Sequence, residues 1–217
     1  MSGRNTERPG TEPTTDEKSG MGEPPPPLTF FRAFLRSPLE LGTCFGSSPA
    51  LSRAMVAEMG LESAAAVAEL GPGTGPLTEQ ILARIPPGCR FVAVERNADL
   101  AAALRRRWPD LHVHQDDAAN LVEICRREGL EPGTVDAVIS SLPFLLMPAE
   151  AQSTLLRAAA AVLRPGGRFC AVTYRPEAIM PSVKRFRSLM EREFSRVRLA
   201  KVVLANVPPA FVYRCIK

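Results

Sequence analysis

The alternation of two hydrophobic periods constrains this chain more than anything else in it. Between residues 65 and 174, apolar runs of strand length alternate with stretches of helical periodicity. AAVAEL (65–70), RFVAVE (90–95), LHVHQ (111–115), TVDAVIS (134–140) and RFCAVTY (168–174) read as strands. LTEQILARI (77–85), DLAAALRRRW (99–108), NLVEICRRE (120–128) and AEAQSTLLRAAAAVL (149–163) read as helices, the last stopping before Pro165-Gly166-Gly167. A further helix is predicted over 182–194. RVRLAKVVLANV (196–207) and AFVYRCIK (210–217) then form a hairpin-like pair of strands joined by Pro208-Pro209. Repeated strand–helix units build a parallel sheet covered on both faces, because each crossover returns the chain to the same edge. The expected fold class is α/β: seven strands, mostly parallel, with an antiparallel C-terminal strand and helices on both faces.

The 217 residues suit one domain, here residues 28–217. Residues 1–27 are rich in Gly, Pro, Thr, Glu and Ser, hold almost nothing to bury, and are expected to be a disordered tail. In 28–36, LTFFRAFLR predicts a short amphipathic helix, with Phe31, Phe34 and Leu35 at i, i+3, i+4 and Arg32 and Arg36 beside them. Ser48 before Pro49 reads as an N-cap and first helical residue of a helix running to about Met59, with Gly60 as its stop. No apolar run reaches the roughly 18 residues of a membrane span, and no secretory leader pattern is visible. The five cysteines are scattered without a C-x-x-C, which argues against a disulfide framework and a zinc site. His112 and His114 are the two histidines and are expected to be structural, with no metal bound. The expectation is a reduced, cytoplasmic protein.

Charge is unevenly spread. Residues 1–27 carry 3 basic and 5 acidic side chains, residues 28–156 carry 11 and 15, and residues 157–217 carry 13 and 3. The last segment is therefore net +10, which points to an anionic partner, either a membrane surface or nucleic acid.

The chemistry-bearing stretch is Glu69-Leu70-Gly71-Pro72-Gly73-Thr74-Gly75, directly after the first core strand and opening a helix. Glycines there let the backbone approach a ligand and adopt positive φ. A Walker A loop is excluded because no Gly-Lys-Ser/Thr follows. The dinucleotide fingerprint needs glycine where Pro76 stands. What fits is an acid followed by G-x-G-x-G.

That stretch resembles the first motif of the S-adenosylmethionine-dependent methyltransferases of Rossmann-like seven-stranded fold, and the resemblance extends over about residues 46–217. It implies S-adenosyl-L-methionine as cofactor, S-adenosyl-L-homocysteine as product, and Glu69 near the methionine end with Gly71, Gly73, Thr74 and Gly75 curving beneath. Glu95 closes the second strand, where a carboxylate accepts both ribose hydroxyls, with Arg96 beside it. Asp117 follows the third strand and is expected to bond the adenine amino group, with Ala118 offering a backbone N–H to the ring. Ser140, ending the fourth strand, completes the implied cofactor set.

The fourth strand runs into Ser140-Ser141-Leu142-Pro143-Phe144. Amino-directed nucleic-acid methyltransferases place Asn/Asp-Pro-Pro-Tyr/Phe there, so Ser141 and Leu142 depart from that pattern while Pro143 and Phe144 keep it. FLRSPLELGTCFGSSPALSRAM, VAELGPGTGPLTEQIL, SSLPFLLMP, VLRPGGRF, TYRP and NVPPAFVYR together resemble the bacterial phospholipid N-methyltransferases. The resemblance implies an amino-headed membrane lipid, phosphatidylethanolamine or ornithine lipid, as acceptor. The alternative acceptor is an adenine of rRNA or another nucleic acid. Expected roles are Tyr174 and Ser141 at the reacting amine, and Leu142, Pro143, Phe144, Arg175 and Tyr213 around the head group. Phe30, Phe31, Phe34 and Leu35 would contact an anionic membrane, holding the protein peripherally on its inner face.

Overall fold

The computed structural model describes residues 48–174, 180–206 and 208–217. The expected tail 1–27, the helix 28–36 with Phe30, Phe31, Phe34 and Leu35, and Arg175 lie outside the described residues.

Helix α1 (Pro49–Val56) opens as its cap predicts. The Ser48 hydroxyl accepts the Leu51 N–H at 3.2 Å, and Pro49 takes the first helical position. The helix ends three residues before the expected Met59. Glu58 turns the chain at φ 59°, an uncommon conformation for a residue with a Cβ, and Gly60 follows at φ 71°. Tertiary bonds hold Glu58 there: its carboxylate meets the guanidinium groups of Arg198 and Arg214.

The strand–helix units follow in the expected order: β1 (Ala66–Leu70), α2 (Pro76–Leu82), β2 (Arg90–Glu95), α3 (Ala98–Arg107), β3 (His112–Gln115), α4 (Leu121–Arg127), β4 (Val135–Ser140), α5 (Ala149–Val162), β5 (Leu163–Thr173), α6 (Pro181–Glu193), β6 (Arg196–Val203) and β7 (Ala210–Ile216). They form one seven-stranded sheet in the order β3-β2-β1-β4-β5-β7-β6. The first five strands are parallel; β7 inserts antiparallel between β5 and β6. Every residue of β1 is buried, Glu69 among them, as a strand covered on both faces requires. One face packs Leu121, Leu156, Phe186 and Met190 from α4, α5 and α6; the other packs Leu51, Leu77, Ile81 and Leu104 from α1, α2 and α3.

Two strand boundaries differ from expectation. β5 begins at Leu163 and carries Pro165-Gly166-Gly167 inside it, as an irregularity in which Val135 faces Leu163 but Ala137 faces Arg168. Gly167 is what permits this: a Cβ there would sit 2.8 Å from the Arg164 carbonyl oxygen. The far end of β7 closes the irregularity, with the Lys217 N–H donating to the Gly167 carbonyl at 3.0 Å. β6 ends at Val203 rather than residue 207, because Asn206 takes over the turn. Its side-chain oxygen accepts the Ser48 N–H at 3.1 Å, and its amide nitrogen donates to the Pro208 carbonyl at 2.8 Å. His112 and His114 share the outer strand β3, as expected, and both reach Glu128, at 2.7 and 2.8 Å. The described cysteines, Cys89, Cys125, Cys170 and Cys215, are free thiols. Among the described residues no helix is long and apolar enough to cross a membrane.

Candidate active site

The parallel strands deliver their carboxyl ends to one edge of the sheet, and the residues singled out at strand ends meet there. The loop after β1 turns through Gly71, Gly73 and Gly75 at φ 72°, 60° and 91°. Gly71 has a second reason to be glycine: a Cβ on it would lie 2.6 Å from Leu142 Cδ2. Nothing stands within 4 Å of the position a Cβ would take on Gly73, so the loop opens a cradle at that point.

Glu95 ties the neighbouring loops together. One carboxylate oxygen accepts the Gly73 N–H at 3.0 Å and the other the Asn97 N–H at 2.8 Å. A carboxylate offers about four lone-pair sites, so two remain for the vicinal hydroxyls of a ribose. Asn97 also caps α3, accepting the Leu100 N–H at 3.0 Å. Beyond β3, Asp117 accepts the Ala119 N–H at 2.9 Å and stands 3.7 Å from Arg96, with both side chains open to solvent. Its neighbour Asp116 is engaged elsewhere, accepting the Asp117 N–H at 2.7 Å and the Asn120 amide at 2.8 Å. Those bonds hold the Asp116 carboxyl below the usual carboxylate range, the Asn120 bond most of all. Ala118 is buried beneath this turn.

Glu69 is the unusual member. It is wholly buried; one oxygen accepts the Thr78 hydroxyl at 2.7 Å, and the other is buried with no hydrogen-bond partner among the described residues. Burial pushes its pKa up to about 8, against the opposing Thr78 bond and with the charge of Glu95 adding to the rise. An unmet buried acceptor beside an open glycine cradle fits the ammonium of an amino-acid moiety, and Glu95 fits the sugar of the same ligand. These residues therefore fit S-adenosylmethionine: Glu69 and the glycine loop would hold its methionine part, Glu95 its ribose, and Asp117 with Ala118 its adenine.

The acceptor side is arranged differently from expectation. The Ser141 hydroxyl donates to the Gly71 carbonyl at 2.5 Å and its N–H to the Leu70 carbonyl at 3.1 Å, so Ser141 pins the end of β4 to the glycine loop. Ser140 is buried, and its hydroxyl accepts the Leu142 N–H at 3.4 Å. Leu142 and Pro143 are half-buried beside Gly71. Phe144 is 1% exposed, stacked on Phe186 at 4.8 Å and edge-on to Phe169, so α6 already covers the ring face expected to meet a substrate. Tyr174 follows β5 and packs on the α1 face of the sheet, whereas Tyr213, fully buried, packs on the α6 face with Phe144. The two tyrosines therefore do not face a common acceptor. Burial pushes the Tyr174 hydroxyl up to about 12, so it is a protonated donor at neutral pH rather than a base.

Sequence reasoning missed Thr78, Asn97 and Asn206. Asn97 stands directly before the DLAAAL helix and carries a readable cap signal. Thr78 and Asn206 gain their roles only through the tertiary fold.

The comparisons with known proteins agree with this geometry. Residues 67–167 match the family model described as a methyltransferase domain. An ornithine lipid N-methyltransferase of Singulisphaera acidiphila is 34% identical over 189 residues, covering 86% of this chain and 93% of that protein. A ribosomal RNA small subunit methyltransferase A of Chlorobium luteolum is 31% identical over 105 residues, but only 48% of this chain and 36% of that protein are covered. Among solved structures, an O-methyltransferase of Bacillus cereus in complex with S-adenosylhomocysteine superposes with TM-score 0.63 at 16% identity, covering 85% of this chain and 91% of that one. The 1,6-didemethyltoxoflavin-N1-methyltransferase of Burkholderia thailandensis, also with bound S-adenosylhomocysteine, gives TM-score 0.62 at 18% identity, covering 87% and 86%. With the cradle, the unmet carboxylate and a relative matched over nearly its whole length, this chain belongs to the S-adenosylmethionine-dependent methyltransferases.

Proposed function

We propose that this enzyme methylates the amine of a membrane lipid head group, ornithine lipid or phosphatidylethanolamine, working peripherally at the cytoplasmic face. The observation that carries this reading is the 93% coverage of the ornithine lipid enzyme, against 36% of the ribosomal RNA enzyme. The acceptor side supports it. Ser141 stands where amino-directed nucleic-acid enzymes carry an amide or carboxylate, and its hydroxyl is spent on Gly71. Phe144, the residue that would stack a flipped base, is covered by Phe186.

When bound, S-adenosylmethionine supplies a methyl group activated on a sulfonium. The protein's task is then chiefly to position a neutral amine in line with it. An ammonium head group must first lose its proton, and no described side chain at the acceptor edge is a ready base. Tyr174, held protonated, orients the amine through its oxygen, while partial desolvation at the site favours the neutral amine. Replacing Tyr174 by Phe is expected to lower kcat several-fold and leave cofactor affinity unchanged; equal turnover by the variant would remove Tyr174 from this role. The segment 28–36 supplies a basic amphipathic stretch for the membrane.

The deciding experiment is methyl transfer from labelled S-adenosylmethionine to ornithine-lipid vesicles, phosphatidylethanolamine vesicles and unmodified rRNA in parallel. Label is expected in a lipid fraction, and the chromatographic mobility of the product counts the methyl groups. Label in rRNA alone would overturn the lipid reading.

A further inference from the structure

The large apolar side chains that stand open to solvent among the described residues are gathered in one place. Leu199 (41% exposed), Val202 (37%) and Leu204 (76%) all belong to β6, the outer strand, and the turn after it. The register explains the grouping. Leu199 faces Tyr213 and Val202 faces Phe211, and both partners lie on the α6 side of the sheet. An irregularity between Leu199 and Lys201 shifts the alternation, so these two apolar residues share a face although three positions separate them. Arg196, Arg198 and Lys201 pair with Ile216, Arg214 and Val212 and take the other face.

The charge carried by these last two strands is of one sign. Residues 196–217 hold five basic side chains and no Asp or Glu. Arg198 and Arg214 share the single carboxylate of Glu58, which offsets one of their two charges. Arg196 and Lys201 are exposed, as are Lys184 and Arg185 near the start of α6. β6 is antiparallel to β7, which is antiparallel to β5, so β6 ends at the same edge as the glycine loop. The turn that presents Leu204 is fixed by Asn206, 1% exposed and bonded to Ser48.

We propose that the β6 edge and the turn at Leu204 form a membrane-contact surface separate from residues 28–36. Leu199, Val202 and Leu204 enter the interface, while Lys184 and Arg185, exposed on the helix that covers the same face of the sheet, meet the phosphates of anionic lipid. This rests on the lipid reading above only for its purpose, since docking is measured without turnover. An outer strand also invites pairing with a second copy. A symmetric pairing would set Arg196 and Lys201 of one copy against those of the other, with no Asp or Glu in residues 196–217 to offset them. An apolar plane carrying anions instead covers Leu199 and Val202 and meets the Lys184 and Arg185 charges on the same side of the sheet.

The test is flotation of the full chain with vesicles of phosphatidylcholine alone and of phosphatidylcholine with phosphatidylglycerol, neither of which bears a methylatable amine. Leu204→Ser is expected to weaken binding to the mixed vesicles about tenfold, as loss of one buried leucine implies. Lys184→Ser should weaken it about fivefold there and leave binding to phosphatidylcholine alone unchanged. Unaltered affinity for S-adenosylhomocysteine verifies that each variant is folded. Equal vesicle binding by the parent and Leu204→Ser would overturn the proposal. So would a change of oligomeric state in Leu204→Ser without a change in vesicle binding, which would assign the edge to a second copy. If the surface docks as described but no lipid accepts label, the lipid reading fails and the docking surface stands.

Discussion

Glu69 is a carboxylate the fold can hold ionised only at a cost, with one oxygen bonded to Thr78 and the other unmet. Its pKa rises from the ordinary 4.5 to about 8 in the folded chain. Below that window both folded and unfolded states hold the proton. Between 4.5 and about 8 the folded state alone keeps it, so the contribution to stability falls as pH rises through this range and is level above it. Glu69→Gln is expected to flatten that dependence and to melt several degrees above the parent beyond pH 8 without cofactor. An ammonium brought to the unmet oxygen reverses the balance, so cofactor binding near neutral pH should release a proton. Calorimetry in buffers of different ionisation enthalpy measures it, and the release should vanish in Glu69→Gln. Glu95 is the complementary case, already satisfied by two backbone N–H groups. Glu95→Ala loses bonds to the sugar as well as the tie between loops, so the Kd for S-adenosylhomocysteine is expected to rise at least about tenfold. An unchanged Kd would detach Glu95 from the cofactor. These acids were legible because each stands at or next to the carboxyl end of a strand, and strand ends converge in a parallel sheet. Phe144 and Tyr213 were not, because whether an aromatic faces a ligand or a helix depends on how α6 packs, and Phe186 decides it.

At the scale of elements, α1 is held to the far end of the sheet by side chains distant in sequence. Arg214, almost wholly buried on β7, donates to the Ala54 carbonyl at 2.7 Å and to Glu58 at 3.2 Å. Asn206 holds the opposite end of the helix through the Ser48 N–H. Removing that side chain leaves a helix-cap N–H and the Pro208 carbonyl without their partner. Asn206→Ala is expected to cost about 1–3 kcal/mol, lowering Tm by a few degrees in a domain of this size. Cofactor affinity should be retained, because Asn206 lies beyond β5 while the residues that fit the cofactor lie at the ends of β1 to β4 and in the loops after them. Scanning calorimetry and binding together check this. The same ties explain which boundaries were readable. The caps at Ser48 and Pro49 are local and fell where expected. The end of α1 depends on a left-handed Glu58 that only two arginines from the last strands explain. The Pro165-Gly166-Gly167 segment reads as a loop until Lys217, distant in sequence, pairs with it.

At the scale of the molecule, the net +10 of residues 157–217 lies in the part of the chain that builds β5, α6, β6 and β7, whereas residues 28–156, which carry Glu69, Glu95 and Asp117, are net −4. This polarity separates two tasks that depend differently on solution conditions. Glu69 and Glu95, the acids that fit the cofactor, are both buried, where salt screens little. Attraction to an anionic bilayer acts between exposed groups across solvent and is screened over a Debye length of about 8 Å at physiological salt. Each nearby Lys or Arg contributes about 1 kcal/mol to that attraction. Raising salt should therefore lower methyl transfer to lipid in anionic vesicles by an order of magnitude or more. Transfer to the same lipid dispersed in neutral detergent should change little, and so should the Kd for S-adenosylhomocysteine. Initial rates in the two dispersions across a salt series measure the difference. Parallel salt curves would mean that the basic third serves the catalytic step itself, and the division of charge along this chain would then need another cause.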